Sequence, residues 1–139
     1  VDPAGLHGWN CRHSHQPWAK GLRNPWADEH KIDSDENKKI YEDTQKQRAM
    51  ERSIRATKRQ LIMKNEEINS DDIPDSEKEK LRSEYDRMAF RLTEQNKEYN
   101  KFCEENNLAA QYYRNKVADF GYKQQSRANA GAKRFMRAK

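Results

Sequence analysis

Cysteine occurs only twice, at positions 11 and 103. Two thiols so far apart do not make the disulfide framework that staples small secreted domains, and they point to a reducing compartment. Long apolar runs are also missing, since no stretch approaches the roughly 18 residues of a membrane-spanning helix. Glycine and proline thin out after Trp26, where only Pro74, Gly121 and Gly131 interrupt the chain. No internal repeat and no secretion, lipidation or transit pattern is present. Apolar residues are scarce too, 33% against 37% charged, which excludes a large globular core. The expectation is a soluble, elongated, mostly helical protein.

What is abundant is charge, and it is unevenly placed. Of 28 Lys/Arg and 23 Asp/Glu, residues 114–139 hold eight basic residues and only Asp119 to oppose them. The first 113 residues are therefore near neutral, with 20 basic against 22 acidic, and the net charge of +5 belongs to the tail.

Residues 1–33 hold three of the four prolines, all three tryptophans and all four histidines. They read as an irregular arm whose large rings, Trp9, Trp18 and Trp26, need a surface to pack on. Residues 1–7 are too few for a domain, so the chain reads as a fragment whose arm ends a missing N-terminal domain. From Ser34 the pattern turns helical, with Asp33 and Glu36 spaced as a capping box. Ile40, Gln47, Ile54, Leu61 and Ile68 fall seven apart, with Asp43, Met50 and Thr57 between them, a narrow seam weakened by its polar members.

A break follows at residues 69–74, and Ser76 with Glu79 makes a second capping box. In the next helix Leu81, Tyr85, Met88, Leu92, Gln95, Tyr99 and Phe102 alternate spacings of four and three, a heptad interface. Two helices of this kind joined by a short loop predict an antiparallel hairpin. Asn106 and Asn107 end the second helix; Leu108, Tyr112, Val117 and Phe120 suggest a short third one stopped at Gly121. The fold class expected is all-α: an irregular arm over 1–33, a hairpin plus short helix over 34–121, and a basic tail over 122–139 that is either helical or disordered.

His7, Cys11, His13 and His15 are residue types that bind zinc. Their spacing matches no familiar zinc module and no second Cys-x-x-Cys half accompanies them, so a hydrogen-bonded structural turn is the leading alternative. Cys11 with His13 also has the makings of a nucleophile and base, but no orienting group or oxyanion hole is at hand. No catalytic residue and no cofactor is assigned. Glu51 with Arg55, Glu77 with Lys80, Glu84 with Arg87 and Glu94 with Lys97 read as pairs on solvated helix faces. Lys123, Arg127, Lys133, Arg134, Arg137 and Lys139 would attract a phosphate backbone without reading sequence.

Three motifs in order then carry a likeness. Gly8-Trp9-Asn10-Cys11-Arg12-His13-Ser14 with Pro17 and Gly21, the run of residues 41–55 from Tyr41-Glu42-Asp43 to Ser53-Ile54-Arg55, and Phe120-Gly121-Tyr122-Lys123-Gln124-Gln125-Ser126 together resemble the C-terminal part of the tailed-phage minor capsid protein 2 family. The resemblance spans about residues 5–130, and such family members are several hundred residues longer on the N-terminal side. It implies a virion structural protein of the head-morphogenesis type, at low copy number, near the portal or in the capsid interior. Its partners would be portal, capsid and the missing N-terminal part of the same protein, with packaged DNA as a further contact. No membrane and no small-molecule substrate is implied, and the location is the virion, or host cytoplasm during assembly. It carries no ligand set onto Cys11 or His13, which with Trp9 are expected to hold the junction to the missing domain. A non-specific nucleic-acid-binding module using the tail is the competing reading.

Overall fold

The computed structural model describes Pro17, residues 19–23 and residues 34–138. The chain divides into two units, Val1–Asp33 and Ser34–Lys139, and every helix among the described residues belongs to the second. In the first, a turn is closed by the Leu22 N–H donating to the Ala19 carbonyl at 3.0 Å, with Gly21 at a φ of 98°. That left-handed value suits a residue without Cβ.

Helix α1 spans Ser34–Asn69 and α2 spans Asp75–Glu105. Both are rich in Lys, Arg, Glu and Gln, whose straight side chains lose little freedom in a helix. Acidic Asp35 and Glu36 sit in the first turn of α1, where the macrodipole favours negative charge. The two run antiparallel: Gln47 meets Cys103, Glu51 meets Tyr99, Ser53 meets Gln95 and Lys64 meets Glu84. The hairpin predicted from the heptads is thus formed, and its turn occupies the predicted break.

The start of α2 differs from expectation. Pro74 is its N-cap residue, extended at φ −60° and ψ 148°, and its carbonyl accepts from the Glu77 and Lys78 N–H groups at 3.0 Å. No side chain caps this end, so the Ser76–Glu79 box is not made; the helix begins before Ser76, entered through the fixed φ of proline. Asp33 of the first box lies outside the described residues. At the other end Asn106 and Asn107 stop the helix as predicted, with a double bond pattern. The Leu108 N–H donates to the Cys103 carbonyl at 2.9 Å and the Asn107 N–H to Glu104 at 3.3 Å. Asn107 supplies the left-handed residue, φ 53°, that this Schellman closure needs.

The core is thin. Among the described residues only Ile54, Leu61, Leu92 and Tyr99 are large side chains with essentially no exposure. Tyr85, Leu92 and Tyr99, seven apart, are the buried positions of the predicted α2 seam, while Leu81, Met88 and Phe102 are only half-buried. Ala89 and Cys103, outside that seam, are also buried, Ala89 against Gly131 of α3 and Cys103 against Gln47 of α1. On α1, Ile54 and Leu61 are buried as predicted, but Ile40 is 53% exposed, for the seam frays toward the open end.

The third helix lies elsewhere than expected. Residues 108–120 hold only one 3-10 turn, Tyr112–Asn115, and run back along α1. Gly121 does not stop a helix but is the N-cap of α3, Tyr122–Arg137, its carbonyl accepting from the Gln125 N–H at 3.0 Å. The segment read as a basic tail is therefore a helix, and it packs on α2. It does so through small residues: Ala128, Gly131 and Ala132 are buried, and Gly131 lies against Tyr85 and Ala89. A Cβ added at Gly131 would come within 2.6 Å of Asp86 Oδ1 and 3.3 Å of Ala89 and Tyr85, so any larger residue forces the carboxylate that Arg134 holds to shift. Beyond the crossing, the Phe90 and Phe135 rings meet at 5.3 Å between centroids.

Candidate functional site

The most elaborate chemistry among the described residues is a buried polar ladder between α1 and the returning segment. Gln47, Glu51, Arg55 and Lys58 follow at spacings of four, four and three, which puts them on one stripe of α1. Gln47 Nε2 donates to the Ala109 carbonyl at 2.9 Å and to Cys103 Sγ at 3.4 Å. Arg55 Nη1 donates to the Arg114 carbonyl and Lys58 Nζ to the Asn115 carbonyl, each at 2.7 Å. Irregular backbone has carbonyls that no helix or sheet ladder satisfies, and these side chains satisfy them.

Glu51 sits at the centre. It is 2% exposed, accepts from the Tyr99 hydroxyl at 3.1 Å, and has Arg114 Nη1 at 3.9 Å. The same hydroxyl accepts from the Gln111 N–H at 2.8 Å, so Tyr99 links all three layers: α1, α2 and the return. Burial foremost pushes the Tyr99 phenol up to about 12, and the neighbouring Cys103 and Glu51 add to the effect. Burial also lowers Lys58, whose ammonium lies 5.4 Å from the Phe120 ring centroid. Glu51 read as a solvated partner of Arg55; the structure corrects this, because the return segment covers that face. Of the other surface pairs, Glu94 with Lys97 is formed at 2.8 Å, whereas Glu84 reaches across to Lys64 at 2.7 Å.

Gln47, Arg55 and Lys58 hold backbone carbonyls of the returning segment, while Glu51 holds the Tyr99 hydroxyl and faces the Arg114 guanidinium. Gln47, Glu51 and Arg55 belong to the second sequence motif, and their partners Ala109 and Arg114 come from about 60 residues later; Phe120 of the third motif faces Lys58, just beyond the second.

The basic residues expected to meet nucleic acid divide into two sets on α3. Arg134 is tied to Asp86 by two bonds, Nη2 to Oδ1 at 2.6 Å and Nε to Oδ2 at 2.8 Å, and Arg127 Nη1 donates to Asn65 Oδ1 at 2.6 Å. Lys123, Lys133 and Arg137 are exposed and make no ion pair among the described residues. Lys139 lies outside the described residues. So do His7, Cys11, His13 and His15, together with Trp9, Trp18 and Trp26. Among the described residues no group of three metal-ligating side chains converges, and no helix is long and apolar enough to cross a membrane.

The phage minor capsid protein 2 family matches residues 2–90, which is 89 of 139 residues and takes in the first two motifs. The third, at residues 120–126, lies beyond the match. No curated protein and no solved structure matches the chain.

Proposed function

The chain belongs to the phage minor capsid protein 2 family, and from this premise of a structural phage head protein we propose that it works in virion assembly, at the portal or capsid interior, by helical packing and not by catalysis. The observation that carries this reading is the division of its surface. One thin apolar seam and one polar ladder consume its interior groups, leaving wide charged faces on both long helices for neighbouring virion proteins. Large exposed aromatics stand at Tyr41 on α1, at Tyr112 and Tyr113 in the returning segment and at Tyr122 at the start of α3. Tyrosines of this kind suit interfaces that are half wet.

Chemical cross-linking of purified virions tests it. Cross-links from the exposed lysines of α1 and α2 to portal or major capsid subunits are expected. Absence of the chain from virions, or links to tail proteins alone, would overturn the assignment.

A second reading has its own observation: Lys123, Lys133 and Arg137 are exposed on α3 and make no ion pair among the described residues. If the protein faces the packaged genome, this helix is the side that meets DNA. Binding of a random-sequence duplex should then fall steeply with added salt, as counterion release requires.

A further inference from the structure

The tertiary fold creates a basic cleft that no single segment announces. At the turn end of the hairpin, α1, α2 and α3 enclose an open space of about 420 Å³, lined by Asn65, Asn69, Arg82, Asp86, Arg127 and Arg134 among others. Three guanidiniums from two helices face one carboxylate, a net charge of +2 in one concavity. The carboxylate is already spent, for Asp86 is held by both nitrogens of the Arg134 fork. Arg134 keeps further N–H donors beyond that pair, Arg127 uses one nitrogen on Asn65, and the exposed Arg82 makes no ion pair among the described residues.

We propose that this cleft binds a phosphate group of the DNA backbone, with Arg82, Arg127 and Arg134 as its donors. An arginine fork matches phosphate geometry, and a partner carboxylate that fixes one guanidinium reduces the freedom lost on binding. Asn65 and Asn69 add neutral amide donors at the rim. The cleft prefers a phosphodiester to a protein carboxylate chain because its donors are arranged around one concavity and not along an extended groove. The inference rests on the DNA-contact reading above and sharpens it: binding is centred on the α1–α2–α3 cleft, and the outward lysines of α3 contribute only general attraction.

Fluorescence anisotropy of a labelled random-sequence duplex, followed over a salt series, decides the matter. Arg82→Gln and Arg127→Gln are each expected to weaken binding and to lower the salt slope by about 1, while Arg82→Lys keeps the slope. The double variant Lys123→Gln, Lys133→Gln removes two charges but should weaken binding less than either arginine change. Equal losses for every charge removed would overturn the cleft and leave a diffuse DNA contact standing. Wild-type protein with no salt-sensitive binding would overturn the DNA reading itself. Arg82 makes no ion pair among the described residues, so an unchanged helical melt for Arg82→Gln separates lost contact from lost fold.

Discussion

The C-terminal quarter of the chain is fastened to the hairpin at two places by opposite means. Residues 108–120 are held by donors of α1 reaching backbone carbonyls, with Leu108, Ala110 and Phe120 packed against the edge of the core. Helix α3 is held by close approach of small residues, with one ion pair beside the crossing. Hydrogen-bonded attachment depends on individual polar atoms and is costly to leave half-made. Attachment through Gly131 depends on the absence of atoms and fails when any are added. One lesson is that a chain with few large apolar residues can still order irregular backbone when side-chain donors reach its carbonyls, even though Asn115 Oδ1 is buried without a partner.

The comparison can be broken outright by removing what lies beneath both attachments. Leu92→Ala leaves a cavity in the centre of the hairpin and should cost about 2–5 kcal/mol, read as a drop in the urea midpoint with both attachments loosened together. A mutant whose midpoint is unmoved would show that the seam is not the common support. Gly131→Leu separates the two: overpacking should cost about 1–3 kcal/mol and speed amide exchange in α3, with residues 108–120 still protected. Tyr99→Phe does the converse. Losing the bonds to Glu51 and Gln111 should cost about 1–3 kcal/mol and speed exchange at Gln111, with α3 unaffected. If the two substitutions loosen the same segments, the attachments are one cooperative unit.

Alkaline titration sharpens the polar side. The folded state raises the Tyr99 phenol from its ordinary 10 to about 12, so it favours the neutral hydroxyl. The stability this contributes is complete below pH 10 and is lost as pH rises toward 12. Tyr99→Phe should therefore lose less stability than wild type over that window, in equilibrium unfolding followed by circular dichroism. The smallest effect expected is at the hinge between hairpin and return, where Asn107→Gly relieves a left-handed φ of 53° and should raise stability by up to about 1 kcal/mol. A loss of stability there would mean that the asparagine side chain holds something a glycine cannot.

Some of this architecture is legible in the residues alone. The hairpin follows from Tyr85, Leu92 and Tyr99 at seven-residue steps, from Ile54 and Leu61 opposite, and from the Asn69 to Pro74 break. The stop at Asn106 and Asn107 follows from the tolerance of asparagine for left-handed backbone. Burial of Glu51 was not legible, because a carboxylate four residues before an arginine on a polar helix has the pattern of a surface pair. The covering segment comes from some 60 residues later. Helix α3 was equally obscure. Ala128, Gly131 and Ala132 bury little area and produce no hydrophobic period, so the signal of a packed helix is weak where close approach does the packing.

The sequence by itself determined an all-helical chain, the positions of its two long helices and the basic character of its end, because propensity, heptad spacing and charge are local properties. Its motifs also carried the family. Only the tertiary structure decided which polar residues are interior, where the third helix lies and how Arg82 joins Arg127 and Arg134. The physical reason is that a side chain's role is set by what covers it, and the covering segments here come from distant parts of the chain.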